Sequence, residues 1–331
     1  MKSWIRCLIF LTFLIPFGLH AEENDKVSIF IIAPDVLTWK MIEEAETPNL
    51  DFLRRFGAEA KRLTTVNPPD LLPNTVSMFT GLLPEHHGVV WKTANPFQSY
   101  RSRTLFECLN EFNYASESVI GNHDLQTLVK PLTKSAFQTI PENPAVRWST
   151  FKKTIEAHPS TDWFFLQLPE TPDIETLDSE LGSLLQLITQ EGRLDRSVIL
   201  LTAGQPSSDP QNPSAWIVWG KNILHRDPLD DVSVVDTMPT LLALFGLSSG
   251  NGLDGIIRQN IFEEAPNIST LPVCTTPGRL NELFLQTIRI AVFSSAALVI
   301  LIFLFYRMRH GKKRPPTPPP TPTEPVRIIR L

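Results

Sequence analysis

Five stretches of the chain are apolar with almost no polar interruption and are rich in β-branched or aromatic residues: 26–33 (KVSIFIIA), 115–120, Trp163–Leu168, Ser197–Thr202 and 215–219. Runs of this length that do not alternate with polar positions suit strands buried on both faces of a sheet. Between them lie segments whose apolar positions recur at helical spacing: Pro48–Phe56, 104–110, 146–156, Ile174–Gln190 and 234–245. Strands alternating with helices of this length predict a three-layer α/β fold with a mostly parallel central sheet and crossover connections. No internal repeat is visible, so residues 22–262 read as one domain.

Two further apolar runs do not belong to this alternation. The first, 7–17, follows Lys2 and Arg6 and precedes Gly18-Leu19-His20-Ala21. A basic start, a short apolar core and a small residue at the end describe a secretory signal peptide, with a cut expected after Ala21. It is short for a membrane anchor. The second run, 290–306, has 17 residues without a charge and is bounded by Arg289 on one side and by Arg307 and Arg309 on the other. That length just crosses the hydrocarbon core, and the flanking arginines can reach outward from it. A transmembrane helix is expected over 287–306, with residues 263–286 as a polar stalk. Arg307, Arg309, Lys312, Lys313 and Arg314 follow it and place the C-terminus on the cytoplasmic side. The expectation is a single-pass type I membrane protein, its body outside the cytoplasm. The segment 315–325 holds seven prolines among 11 residues, which predicts an extended, disordered tail. Its basic-flanked PxxP pattern is common by chance.

Charge supports the partition. Of the net −5, the signal carries +2 and residues 307–331 carry +6, so residues 22–306 carry −13. An acidic body excludes nucleic acid as a natural partner. Removal of the signal takes Cys7 with it, leaving Cys108 and Cys274. They can form one disulfide or remain two buried thiols. Asn267-Ile268-Ser269 matches a glycosylation sequon, a pattern that also arises by chance.

The informative chemistry lies in Thr47-Pro48-Asn49-Leu50-Asp51 and in the segment from Asp70-Leu71 through Thr80-Gly81 to Pro84-Glu85-His86-His87-Gly88. Together they resemble the alkaline-phosphatase superfamily, in particular its type I phosphodiesterase/nucleotide pyrophosphatase and sulfatase branches. The likeness continues through Asn212–Gly220 (residues 212–220), Val232-Ser233-Val234-Val235-Asp236 with Pro239-Thr240-Leu241-Leu242, and Leu253-Asp254-Gly255. It implies an alkaline-phosphatase-like domain over 22–262, with Asp236 as a helix cap and His87 in a mainly structural signature. It also implies a Thr, Ser or modified Cys nucleophile at position 71 and two divalent metals, zinc or calcium by branch, held at the C-terminal edge of the sheet.

Position 71 is a leucine, which cannot attack phosphorus or sulfur. The family's Asp-Gly after the first strand is Ala33-Pro34 here, and Asp35 reaches that place only if the strand slips two residues, about 6 Å. Pro169-Glu170-Thr171-Pro172-Asp173 resembles the start of an Asp…Gly-His motif but runs straight into a helix. The family's Asp-His-Gly after a strand is Ala203-Gly204-Gln205, and no histidine lies between 159 and 224. No catalytic residue, no metal ligand set and no cofactor are therefore expected. The reading is a catalytically degenerate, membrane-anchored domain that binds an unknown ligand or protein partner on the exported side. One alternative is an active metal-dependent phosphodiester or sulfate-ester hydrolase with a non-standard site drawn from Asp35, Asp70, Asp173 and His86, with zinc or another divalent ion. The other is a structural envelope or lumenal assembly protein.

Overall fold

A computed structural model of the chain describes residues 26–93, 102–125, 137–139, 144–168, 173–205, 207, 209 and 211–274. They belong to a compact unit, Met1–Thr276; a second unit, Pro277–Leu331, lies outside the described residues. The expected signal (1–21), transmembrane helix (287–306) and proline-rich tail (307–331) also lie outside them. No helix among the described residues is long and apolar enough to cross a membrane.

Eight strands form one sheet: β1 (Ser28–Pro34), β2 (Ala58–Thr64), β3 (Ser116–Ile120), β4 (Phe137–Thr139), β5 (Trp163–Leu168), β6 (Ser197–Thr202), β7 (Ser214–Gly220) and β8 (Val232–Ser233). Their order is β4-β3-β5-β1-β6-β7-β2-β8. All neighbours are parallel except β7, which runs against both β6 and β2. β1, β3, β5 and β6 are buried at every position; β5 and β6 are the near-continuous apolar runs expected in the middle of such a sheet, while β3 (SESVI) buries Ser116, Glu117 and Ser118 as well. The helices are α1 (Trp39–Glu43), α2 (Pro48–Phe56), α3 (Leu71–Thr80), α4 (Pro84–His87), α5 (Leu105–Glu111), α6 (Pro144–Ala157), α7 (Ile174–Gln190) and α8 (Thr237–Leu244). α7 packs on α2 and α6, while α3 packs on α5 and α8. These two groups cover opposite faces of the sheet and make the expected three layers.

The faces alternate along β5. Phe164 stacks on Phe30 at 5.1 Å and meets Phe151 of α6 on one side. Phe165 meets Phe79 of α3 edge-on at 4.9 Å on the other. Arg193, only 2% exposed, lies over the Phe30 and Phe164 rings and donates to the Ser28 hydroxyl and the Thr161 carbonyl. Its burial is tolerable because the ring faces and these acceptors, together with Glu191, replace water.

β2 (AEAKRLT) is not visible as a strand in the sequence. Its residues have weak strand propensity, its register shifts between Ala60 and Leu63, and Lys61 and Arg62 face outward to Asp230 and Asp231. The expected stalk boundary at 262/263 moves. Val273 bridges Ser248, Cys274 donates from its N–H to the Ser248 carbonyl, and Cys274 is bonded to Cys108 of α5. The chain is therefore fixed to the body through residue 274. The disulfide closes a loop of sequence separation 166, so its removal should cost about 3–5 kcal/mol on loop-entropy grounds. Replacing both cysteines by alanine is expected to lower the thermal midpoint clearly while leaving far-UV circular dichroism unchanged, measured on the oxidised parent and the double variant.

Candidate functional site

In a parallel α/β sheet, ligands sit outside the carboxyl ends of the strands, and the positions singled out in the sequence converge there. Pro34-Asp35 passes between the ends of β5 and β6. The Asp35 N–H donates to the Leu168 carbonyl, while Gly204 and Gln205 donate to the Pro34 and Asp35 carbonyls, both at 2.7 Å. The strands thus continue to pair beyond their last ladder residues. α3 starts directly above this point. Leu71, 8% exposed, lies over Gly204, where an added Cβ would stand 3.3 Å from the Leu71 Cδ1 and 3.3 Å from the Pro34 carbonyl oxygen. One turn on, the Asn74 side-chain amide donates to the Gly204 carbonyl at 3.0 Å. Leu71 stands at the place where the resemblance implies a nucleophile, and Ala33, Ala203 and Gly204 at places where it implies metal ligands.

Asp35 brings a carboxylate to this junction, and it accepts from Gln167 Nε2 at 2.9 Å. The other end of Gln167 accepts the N–H groups of Gly121 and Asn122 at 3.1 and 2.9 Å. Gln167 is 0% exposed, and with Asn74 it forms a polar seam that sequence reading missed. The available signal was the lone polar residue inside WFFLQL, because a buried amide must find partners.

The remaining candidates are not brought together. Asp70 precedes α3, does not cap it with its side chain, and pairs with Lys92 at 3.2 Å. Asp173 caps α7, accepting from the Thr176 N–H and hydroxyl at 2.8 and 2.6 Å, bonds that hold its carboxyl below the usual range. His86 places Nδ1 2.6 Å from Asp254 Oδ2, a hydrogen bond that raises the imidazole's pKa. Among the described residues no group of three or more His, Cys, Asp or Glu is placed to hold a metal ion. A two-metal centre needs several anionic or imidazole donors. Ala33, Pro34, Leu71, Ala203 and Gly204 supply no donor side chain, and Asp35 is shared with Gln167, so the described residues do not fit the metal pair.

The packing motifs have clear work. Asn49 donates to the Asp178 carbonyl and carboxylate at 3.1 and 2.8 Å, and the Leu50 N–H donates to the same carboxylate at 2.7 Å, tying α2 to α7. The Val89 N–H donates to His87 Nδ1, so Nε2 carries the proton and donates to the Ser77 hydroxyl at 2.9 Å. Gly81, left-handed at φ 66°, ends α3 and accepts the Asp254 and Gly255 N–H groups. Asp236 stands at the N-cap position of α8 without a side-chain cap bond there, and it completes a capping box with Ser233 in the 3-10 turn that leads into the helix. Its carboxylate accepts from the Ser233 and Ile256 N–H groups and from the Arg258 guanidinium, binding the loop after α8 to its start.

The comparisons agree with this geometry. The type I phosphodiesterase/nucleotide pyrophosphatase family profile matches residues 29–101. Human ectonucleotide pyrophosphatase/phosphodiesterase family member 5 is 27% identical over 68 residues, which is 20% of this chain and 14% of that protein. The murine enzyme of that name, in an inactive form in complex with AMP, superposes with TM-score 0.57 at 11% identity, covering 70% of this chain and 98% of that one. The PsFucS1 sulfatase from Pseudoalteromonas sp. superposes with TM-score 0.57 at 13% identity, covering 74% of each chain. The fold is that of the alkaline-phosphatase superfamily.

Two outcomes follow from this geometry. Gly204→Asp should destabilise the fold by roughly 1–3 kcal/mol, because its Cβ presses on Leu71 and Pro34. Adding Leu71→Ala should recover part of that loss in a double-mutant cycle of urea midpoints. Separately, burial lowers the His87 pKa from 6.5 to about 4. Between those values the unfolded chain binds a proton at this ring and the folded chain does not. Stability is therefore fully present above pH 6.5 and lost as pH falls toward 4, by an amount on the order of 3 kcal/mol. The urea midpoint should drop over this window in the parent and be flatter in His87→Gln.

Proposed function

We propose that this protein is a membrane-anchored phosphodiesterase/sulfatase-like domain that acts by binding and not by turnover. The observation that carries the reading is Leu71 seated over Gly204 and beside the β1 exit, where a nucleophile and its metals would have to meet. Hydrolysis of a phosphate or sulfate ester needs an attacking oxygen and positive charge on the ester oxygens. Among the described residues the junction offers neither, and the carboxyl group of Asp35 is shared with the Gln167 amide. The retained latches around it keep the crevice at the strand ends, the usual place for a ligand in this class of sheet. That the murine relative forms a complex with AMP in an inactive form supports the separation of binding from turnover in this fold. The ligand's identity does not come from the fold.

The membrane part rests on the sequence: a signal over 1–21, a span over 287–306 and a basic segment after it place the body outside the cytoplasm and the tail inside. The Cys108–Cys274 bond supports export, since such bonds persist in oxidising compartments. The test is turnover of a chromogenic phosphodiester and of a sulfate ester by the purified full chain with added zinc or calcium. The parent and Leu71→Thr are both expected to show no rate above buffer, because restoring the hydroxyl restores no metal. Metal-dependent turnover by the parent that disappears in Asp35→Ala would overturn the reading.

A further inference from the structure

The opposite edge of the sheet, where β1, β3, β5 and β6 begin, carries a second feature. β7 runs antiparallel and ends there, with Gly220 opposite Val198, and β2 starts there, with Ala58 opposite Val218. α2 delivers the chain into β2, so its last turn reaches the same edge. Phe52 and Phe56 are 40% and 51% exposed, 5.1 Å apart, and Phe52 is 5.5 Å from the half-buried Trp219 ring. Leu224, just beyond β7, is 42% exposed. Phe52, Phe56 and Trp219 thus form one aromatic cluster on this rim, with Leu224 exposed on the loop that follows β7, and an exposed apolar patch usually marks a contact surface.

Both ends of the described body lie on this rim. Lys26 leads directly into β1. At the other end Cys274 donates to the Ser248 carbonyl; Ser248 follows α8, whose final carbonyl, at Phe245, accepts the hydroxyl of Tyr114, just before β3. The apolar run at 290 begins 16 residues after Cys274, a reach of about 55 Å at full extension.

We propose that this rim rests on the membrane surface, with Phe56, Phe52 and Leu224 entering the boundary between lipid headgroups and acyl chains and Trp219 at headgroup level. The inference rests on the membrane-anchored reading above. It directs the strand-end crevice with Leu71 and Asp35 away from the bilayer, open to a soluble or opposing ligand. Aromatic rings favour this boundary because one part of the ring can be dry while its edge remains near water. The charges on the rim are of both signs, Lys26, Arg55 and Lys221 with Asp195, Glu263 and Glu264, so the contact proposed is apolar and requires no anionic lipid.

The experiment uses the full chain, with its native disulfide, in phosphatidylcholine vesicles. An environment-sensitive fluorophore is placed by Phe56→Cys, by Leu224→Cys and, at the opposite edge beside Asp70, by Lys92→Cys. With a quencher carried on the acyl chains, the labels at 56 and 224 are expected to lose most of their emission and the label at 92 none. Unquenched labels at 56 and 224 on protein that still floats with carbonate-washed vesicles would overturn the surface while leaving the anchor intact. Protein that does not float would overturn the anchor and the surface together. Labels shielded from an aqueous quencher but not quenched from the lipid would mean protein–protein contact, and would also overturn the surface.

Discussion

The backbone closure at the end of β1 governs this molecule. Pro34 and Asp35 are held between β5 and β6 by hydrogen bonds on both sides, two of them at 2.7 Å, and the N-terminus of α3 is lowered onto the result. Because Gly204 has no side chain, Leu71 can descend to van der Waals contact, and Asn74 can reach the Gly204 carbonyl from the next turn. At the edge of this junction the half-buried Asp35 accepts a hydrogen bond from the fully buried Gln167 amide.

The surrounding motifs explain how so much of a hydrolase-like sequence can be present around such a centre. Asn49 with Asp178, His87 with Ser77, Asp254 with Leu83 and His86, and Asp236 with Arg258 each tie a loop to a helix or one helix to another. Their cost of loss is paid in folding and not in chemistry: a buried group left without its partner destabilises by about 1–3 kcal/mol. A fold can therefore hold its signature under structural constraint alone while the residues at the strand ends change freely, so resemblance to this fold does not by itself carry activity.

The central strands and the long helices were legible because burial on both faces imposes an uninterrupted apolar run, and Trp163–Leu168, Ser197–Thr202 and Ile174–Gln190 match their elements residue for residue. β2 was not, since its stability comes from cross-strand partners and outward ion pairs that no local pattern records. At the candidate site, the mismatched identities of Leu71, Pro34 and Gly204 could be read directly, and the contact among them could not. Gln167 was hidden inside a hydrophobic run, where its role depends on which neighbours the sheet order brings beside it. Asp70, Asp173 and His86 were plausible ligands by type alone; local partners, visible only in three dimensions, account for each. The disulfide and the attachment of residues 263–274 likewise depend on long-range proximity.

On the function proposed above, the strand-end crevice is a metal-free binding surface on a tethered domain. Metal content tests it most directly. Elemental analysis of the purified full chain, after exposure to zinc and calcium and removal of free ions, should find far less than one ion per chain, with no difference between the parent and Asp35→Ala. Stoichiometric zinc or calcium in the parent that is lost in Asp35→Ala would contradict it.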